Sequence, residues 1–271
     1  MKLFKKWWFW LIATVVFATI GAVYVYNGLP ANSPVKNAGR KVAQSLPVKQ
    51  YSNKQRDEIK DKVMKNDAKK LNLTKQGWVA FPDFDIFMPI YDNAYSAAAL
   101  NAGANTSQKG STPVPTMGEG NYTLAAHNWD DGQTGFSALQ QYKGQNSPYL
   151  VQGQTGGSDW LNGKKIYMAN AKGIYTYTLK TQTTVDENDV APLDVNARIN
   201  GKPKLTIISC LFPNIDYRII TNAQYTDFVS WKKAPDKLIA QFDSSKHRDN
   251  TLPEGTTASG NSSSSSSSKK N

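Results

Sequence analysis

The chain has one cysteine, Cys210, and two histidines, His127 and His247. A single thiol excludes an intramolecular disulfide framework and any zinc site built on cysteines. Two histidines are too few for a histidine-rich metal centre. No internal repeat is present, and beyond Tyr26 there is no second long apolar run. That excludes a multi-span membrane protein. What remains is 271 residues, 39% hydrophobic and 20% charged. Such a composition buries a core, so a collagen-like or wholly disordered chain is excluded as well.

Acidic charge is scarce outside the middle of the chain. The net charge is +11. Residues 32–77 hold 12 basic against 4 acidic side chains, whereas residues 78–231 hold 10 basic against 13 acidic. The part able to fold is slightly acidic, so a basic nucleic-acid-binding domain is a poor reading and no nucleic-acid partner is expected.

Trp7 to Tyr26 is a run of 20 residues without charge. At 1.5 Å per residue that spans a hydrocarbon core of about 30 Å. Lys2, Lys5 and Lys6 precede it, and aromatic residues mark both ends (Trp7, Trp8 and Trp10; Tyr24 and Tyr26). The pattern predicts a single-pass anchor over residues 1–29, N-terminus cytoplasmic and C-terminal body outside. A cleaved signal peptide is the alternative. Its apolar region would be about 7–15 residues and would end in a small-residue site; Asn27-Gly28-Leu29-Pro30 offers no clean one.

Residues 30–76 read as a basic linker or stalk. Within it, residues 51–73 have helical spacing, with Ile59 and Val63 on one side of a highly charged helix. From Gly77 the pattern changes to strands. Trp78–Pro82, Ile86–Tyr91, Lys165–Met168, Gly173–Leu179, Lys204–Cys210 and Tyr217–Thr221 are β-branched and aromatic, and turn residues separate them. Only Gly135–Tyr142 and Ala94–Ala102 look helical. Residues 77–231 are therefore expected to form an all-β barrel or sandwich with a few short helices. Residues 232–271 lose the pattern and end in seven serines followed by Lys-Lys-Asn, a polar tail with too little apolar surface to order itself.

Cys210 closes an apolar strand just before a turn, where a substrate can reach it. The same position also suits a buried structural cysteine. His247 falls in the polar tail, which predicts a solvated side chain. His127 is then the only histidine of the folded body. One thiol and one imidazole at strand ends are the minimum for nucleophilic cysteine chemistry. Arg218 lies eight residues after Cys210. Flanking a hairpin turn, the two would sit on adjacent strands, with the guanidinium able to bind an oxyanion. The order His, Cys, Arg is not that of papain-like enzymes.

These residues resemble a known family. Tyr122–Asn128 (YTLAAHN), Thr206–Cys210 (TIISC) and Arg218-Ile219-Ile220 are similar to the three signatures of the sortases. Gly77–Pro82 and Pro89-Ile90-Tyr91 look like that family's opening strands. The N-terminal anchor resembles class A, the housekeeping sortases. Two positions depart from the family's usual residues: Ala126 stands where Gly is more frequent, and Ser209 where Thr is.

The resemblance implies a closed barrel of about eight strands and a cysteine transpeptidase of a Gram-positive cell membrane. Its partners would be secreted proteins with a C-terminal Leu-Pro-x-Thr-Gly-type signal and the amine of a peptidoglycan precursor (lipid II). Cys210 would be the nucleophile and His127 the acid and base, with His127 in its charged form and Arg218 lowering the thiol's pKa. Arg218 and the backbone N–H groups after Cys210 would bind the oxyanion. Ala125, Val185, Val190, Ile208 and Ile220 would line the Leu-Pro groove, bordered by residues 184–203. Ser209 would offer its hydroxyl to the substrate.

No cofactor is expected. Asp186, Glu187 and Asp189 invite comparison with calcium-binding family members, but no acidic residue lies between Asp92 and Glu119 to complete such a site. Two other readings stay open. One is an L,D-transpeptidase, disfavoured because Ile208 precedes Ser209 where a Ser-His-Gly-Cys-type motif would be needed. The other is a non-enzymatic wall-binding or scaffold protein on the same fold.

Overall fold

The computed structural model describes residues 50–129, 131–142, 145–146 and 158–252. Eight strands close into a barrel: β1 (Lys75–Phe81), β2 (Ile86–Tyr91), β3 (Ala104–Thr106), β4 (Asn121–Ala125), β7 (Lys165–Ala169), β8 (Gly173–Asp186), β9 (Lys204–Cys210) and β10 (Tyr217–Ser230). A separate hairpin joins β5 (Gln141–Tyr142) to β6 (Gln145–Asn146). Around the barrel the order is β1-β2-β3-β4-β9-β10-β8-β7, and β7 pairs back onto β1. The pairs β2/β3 and β4/β9 are parallel; the others are antiparallel. The expected all-β barrel is thus present.

Alternation along each strand fills the interior. Val79, Phe81, Met88, Ile90, Leu124, Ile166, Met168, Tyr177, Leu205 and Ile207 belong to one buried cluster. Each large side chain so buried contributes about 1.5–3 kcal/mol against exposure. β8 and β10 run for 14 residues each, well past the apolar stretches that end at Leu179 and Thr221. Their extensions are rich in threonine and polar residues. They stay extended because each strand supplies the other's ladder from Tyr217↔Asp186 to Ser230↔Gly173. The long connection after β8 accordingly begins at Glu187 rather than at residue 184.

Helices are few and short. α1 (Asn53–Met64) starts with a capping box in which Gln55 N donates to Ser52 Oγ and Ser52 N donates to Gln55 Oε1. α2 (Ala97–Ala102) falls inside its expected range. α3 (Asp236–Ile239) lies after the barrel. The helix expected over Gly135–Tyr142 is only a 3-10 turn at Ser137–Leu139, because residues 141–142 go into the β5/β6 hairpin.

The outer wall differs most from the expected boundaries. Ile59 and Val63 of α1 are not the side of a solvated stalk. They are buried with Ala80, Phe87, Trp231, Ile239 and Phe242 in a second cluster outside the barrel. Arg56 Nη1 donates to the carbonyls of Trp231 and Ala234, and Nη2 pairs with Asp236. Tyr51 Oη donates to Asp243 Oδ2 at 2.9 Å. Residues 51–76 and 232–250 therefore belong to the packed body, which is wider than residues 77–231. His247 is half-buried rather than fully solvated: its ring stacks on Phe87 at 4.7 Å. The anchor expected over Trp7–Tyr26 and the serine run lie outside the described residues. Among those described, no helix is long and apolar enough to cross a membrane.

Candidate active site

Cys210 is the last residue of β9 and is partly exposed. Side chains alternate along a strand. Leu205 and Ile207 fill the barrel, so Ile208 and Cys210 face outward. Arg218, second in β10, is the direct cross-strand partner of Cys210 and also pairs with Val185 of β8. Directly opposed residues on antiparallel strands have Cα atoms about 5 Å apart. The eight-residue spacing thus brings thiol and guanidinium to one end of the barrel.

His127 arrives from elsewhere in the chain. β4 runs parallel to β9, with Ala125 beside Ile208. Two more residues along each strand bring His127 level with Cys210. The imidazole Nε2 lies 2.8 Å from Asn101 Oδ1, at the end of α2. With a carbonyl oxygen facing it, Nε2 carries the proton and Nδ1 is left as the basic nitrogen. The ring packs beside Trp129 at 6.0 Å. Behind it, Phe136 N donates to His127 O at 2.8 Å. Gly135 (φ +59°) is so close that a Cβ there would stand 2.4 Å from His127 O.

Burial lowers the His127 pKa from its ordinary value of 6.5. Taking an imidazolium out of water without a carboxylate beside it favours the neutral ring. At pH 7 the free protein therefore holds a neutral imidazole, able to accept the thiol proton. Burial thus favours the neutral ring over the charged form expected from sequence.

A buried amide network fixes the backbone around the thiol. Asn128 Nδ2 donates to Cys210 O at 2.7 Å and to Gln140 Oε1 at 2.5 Å. Gln140 Nε2 donates to Phe212 O at 2.6 Å, and Phe212 N donates to Gln140 Oε1 at 3.1 Å. Leu211 N donates to Tyr217 O at 2.9 Å. The first two N–H groups after Cys210 are therefore engaged, contrary to their expected place in an oxyanion site. The Arg218 guanidinium is engaged as well. Its Nη2 meets Glu187 Oε2 at 2.8 Å, and its Nη1 donates to Ile215 O and Tyr217 O. Glu187 N in turn donates to Asp216 O at 2.8 Å, tying the β8–β9 connection to the β9–β10 turn.

The expected groove residues separate into two sets. Ala125, Ile208 and Ile220 are consecutive partners across β4, β9 and β10. Together with Val185 they form an outward apolar row beside Cys210 and Arg218. Val190 lies on the β8–β9 connection and is 46% exposed. Ser209 belongs elsewhere. It is 4% exposed, opposes the buried Ile219, and points away from the Cys210 face, so its hydroxyl does not reach the groove. Asn101, Asn128 and Gln140 were not singled out as site residues from sequence, and Glu187 was considered only as a calcium ligand. Among the described residues, no group of three His, Cys, Asp or Glu side chains is gathered to hold a metal ion.

Comparison with known proteins places this geometry. The sortase-domain family profile matches residues 79–226. Sortase A of Streptococcus agalactiae is 26% identical over 187 residues, which cover 67% of this chain and 65% of that protein. Sortase A of Listeria monocytogenes is 28% identical over 135 residues, covering 49% and 48%. The chain thus spans less than two thirds of each relative's length. Among solved structures, Listeria monocytogenes sortase A aligns with TM-score 0.46 and 22% identity, over 62% of this chain and 96% of that one. Sortase C-3 of Streptococcus pneumoniae aligns with TM-score 0.49 and 18% identity, over 73% and 79%.

Proposed function

The chain belongs to the sortase family, and from that premise we propose that it is a class A cysteine transpeptidase acting at the outer face of a Gram-positive cell membrane. The pairing of Arg218 with Cys210, with His127 brought alongside by β4, carries this reading. The run Trp7–Tyr26 is its single-pass anchor. Its substrates are secreted proteins with a Leu-Pro-x-Thr-Gly-type signal, and its acceptor is a peptidoglycan-precursor amine.

The chemistry follows from the groups present. The Cys210 thiol gives its proton to His127 Nδ1 as the sulfur attacks the Thr carbonyl. The oxyanion develops beside the Arg218 guanidinium, a fixed positive charge in a partly dehydrated site. Collapse breaks the Thr–Gly bond, and the His127 imidazolium protonates the departing Gly amine. A thioester remains on Cys210. The incoming amine attacks it, gives a proton to His127, and the thiol is regenerated. The Leu and Pro side chains lie against Ala125, Val185, Val190, Ile208 and Ile220.

The test uses the full chain with a quenched fluorescent Leu-Pro-x-Thr-Gly peptide and a glycine-type amine. Cleavage that turns into a ligated product on adding amine, and that is lost in Cys210→Ala, is the expected outcome. A folded wild-type chain that leaves a panel of such peptides intact would overturn the proposal.

A further inference from the structure

After β10 the chain returns to the histidine. A strap of residues 247–252 follows α3 and two 3-10 turns. Within it Asn250 lies against the edge of β2 and is 8% exposed. β3 pairs with β2 only at Ile90 and Tyr91, so the edge groups of Phe87 need another partner. Asn250 supplies it: Asn250 N donates to Phe87 O at 3.1 Å, and Phe87 N donates to Asn250 Oδ1 at 2.6 Å. The other two polar groups of Asn250 are used as well. Its Nδ2 donates to Gln133 O at 2.7 Å, and its carbonyl accepts from Gly135 N at 3.0 Å. Two residues on, Leu252 N donates to Asn101 O at 3.1 Å.

Both segments that hold His127 are thus tied to the strap. Asn101 carries the carbonyl oxygen that faces the imidazole Nε2. Gly135 backs onto the His127 carbonyl, and the next residue, Phe136, donates to that carbonyl. We infer that Asn250 is a positioning residue for His127: it joins the two segments that aim the imidazole at Cys210, although it lies beyond residues 79–226 that match the sortase family. The inference rests on the transpeptidase reading above and concerns the base of that same site.

Backbone accounting shows how the effect travels. Without the Asn250 side chain, Phe87 N loses its acceptor in a residue that is 3% exposed, and Gln133 O loses its donor. Buried backbone groups are rarely left so. The strap must therefore shift, and Gly135 and Asn101 shift with it. His127 is held by those two residues and moves in turn. The groove does not. Ala125, Val185, Ile208 and Ile220 stand on β4, β8, β9 and β10, which none of the strap's hydrogen bonds above reaches. A fault in the strap therefore falls on kcat rather than on KM. Misplacing a catalytic group by about 1 Å costs up to about a hundredfold in rate.

Two variants of the full chain test this. Asn250→Ala removes both side-chain bonds, and Leu252→Pro removes only the donor to Asn101 O, which keeps the test open if the first variant fails to fold. In a folded variant, kcat for the fluorescent signal peptide should fall about tenfold to a hundredfold while KM stays unchanged. The acid limb of kcat/KM should move up towards 6.5, because a ring freed from its buried place regains its ordinary value. Long-range proton–nitrogen NMR gives a readout that needs no peptide, since the chain has only two imidazoles. In the wild type the His127 proton should sit on Nε2; in the variants both tautomers should appear. A lower kcat with the acid limb and the tautomer unmoved would make the strap merely structural and overturn the inference, as would wild-type kcat in both folded variants. Mixed tautomers in the variants of a chain that cleaves no signal peptide would keep Asn250 as the residue that places His127 and overturn the transpeptidase reading instead.

Discussion

Lys75 is 8% exposed, and its ammonium is buried with no hydrogen-bond acceptor. It sits over the rings of Trp78 at 4.4 Å and Tyr91 at 4.8 Å. Burial lowers its pKa to about 8 from 10.5, against the opposing pull of Asp67 and Asp249. The sign follows from proton counting. Between about pH 8 and 10.5 the unfolded chain holds a proton that the folded chain has released, so this group makes stability rise with pH across that window. At pH 7 both states are protonated, and the full cost of the buried charge is present. At 1.36 kcal/mol per unit, the shift corresponds to about 3 kcal/mol.

Lys75→Met keeps the stem and removes the charge, so at pH 7 it should stabilise the protein by up to about 3 kcal/mol. Urea unfolding of both proteins from pH 7 to 10.5, followed by tryptophan fluorescence, measures this. Taking the difference between the two curves cancels the tyrosines, among them Tyr91, which burial pushes up to about 12. The advantage of the variant should fade as pH rises through 8 towards 10.5. A flat difference curve, or a variant several kcal/mol less stable at pH 7, would show that the aromatic cage holds the ammonium at a profit and would refute the reasoning.

The lowered His127 pKa places the acid limb of kcat/KM below pH 6.5, because protonation removes the base that Cys210 needs; a limb centred above 6.5 in the pH–rate profile would count against a buried neutral ring. Gly135→Ala should slow signal cleavage and cost about 2 kcal/mol or more in thermal unfolding, since it forces a left-handed residue and a Cβ against His127 O; wild-type rate and melting temperature would show that the histidine backbone tolerates displacement. Glu187→Gln should leave the melting temperature within a few degrees, because a half-exposed ion pair is worth about 1 kcal/mol at most. It should lower kcat more than it raises KM, because the pair fixes the guanidinium at Cys210. An unchanged kcat would mean that the carbonyls of Ile215 and Tyr217 suffice to hold Arg218.

Much of the barrel was legible because its strands alternate and carry branched or aromatic side chains. The Cys210–Arg218 pairing was legible too, since eight residues around a turn fit one hairpin. Ser209 could have been placed correctly by the same alternation, because a residue next to an outward Cys210 must face inward. His127 is different. Nothing local indicates that β4 runs parallel to β9, so its link to the thiol rested on its being the body's one histidine and on the resemblance. α1 shows just Ile59 and Val63 on a charged surface, too little apolar area to signal docking. The strap through Asn250 is polar and holds by hydrogen bonds, which leave no hydrophobic pattern. Asn101 and Gln140 act through amides at positions set wholly by tertiary structure.

The parallel seam between β4 and β9 also dictates when His127 and Cys210 first meet. Asn128 and Cys210, joined by one hydrogen bond, are 82 residues apart in sequence. Closing so long a loop is entropically slow and comes late in folding. Until it closes, imidazole and thiol stay apart. On the function proposed above, the seam is a safety catch against stray acylation, released only when the barrel is whole.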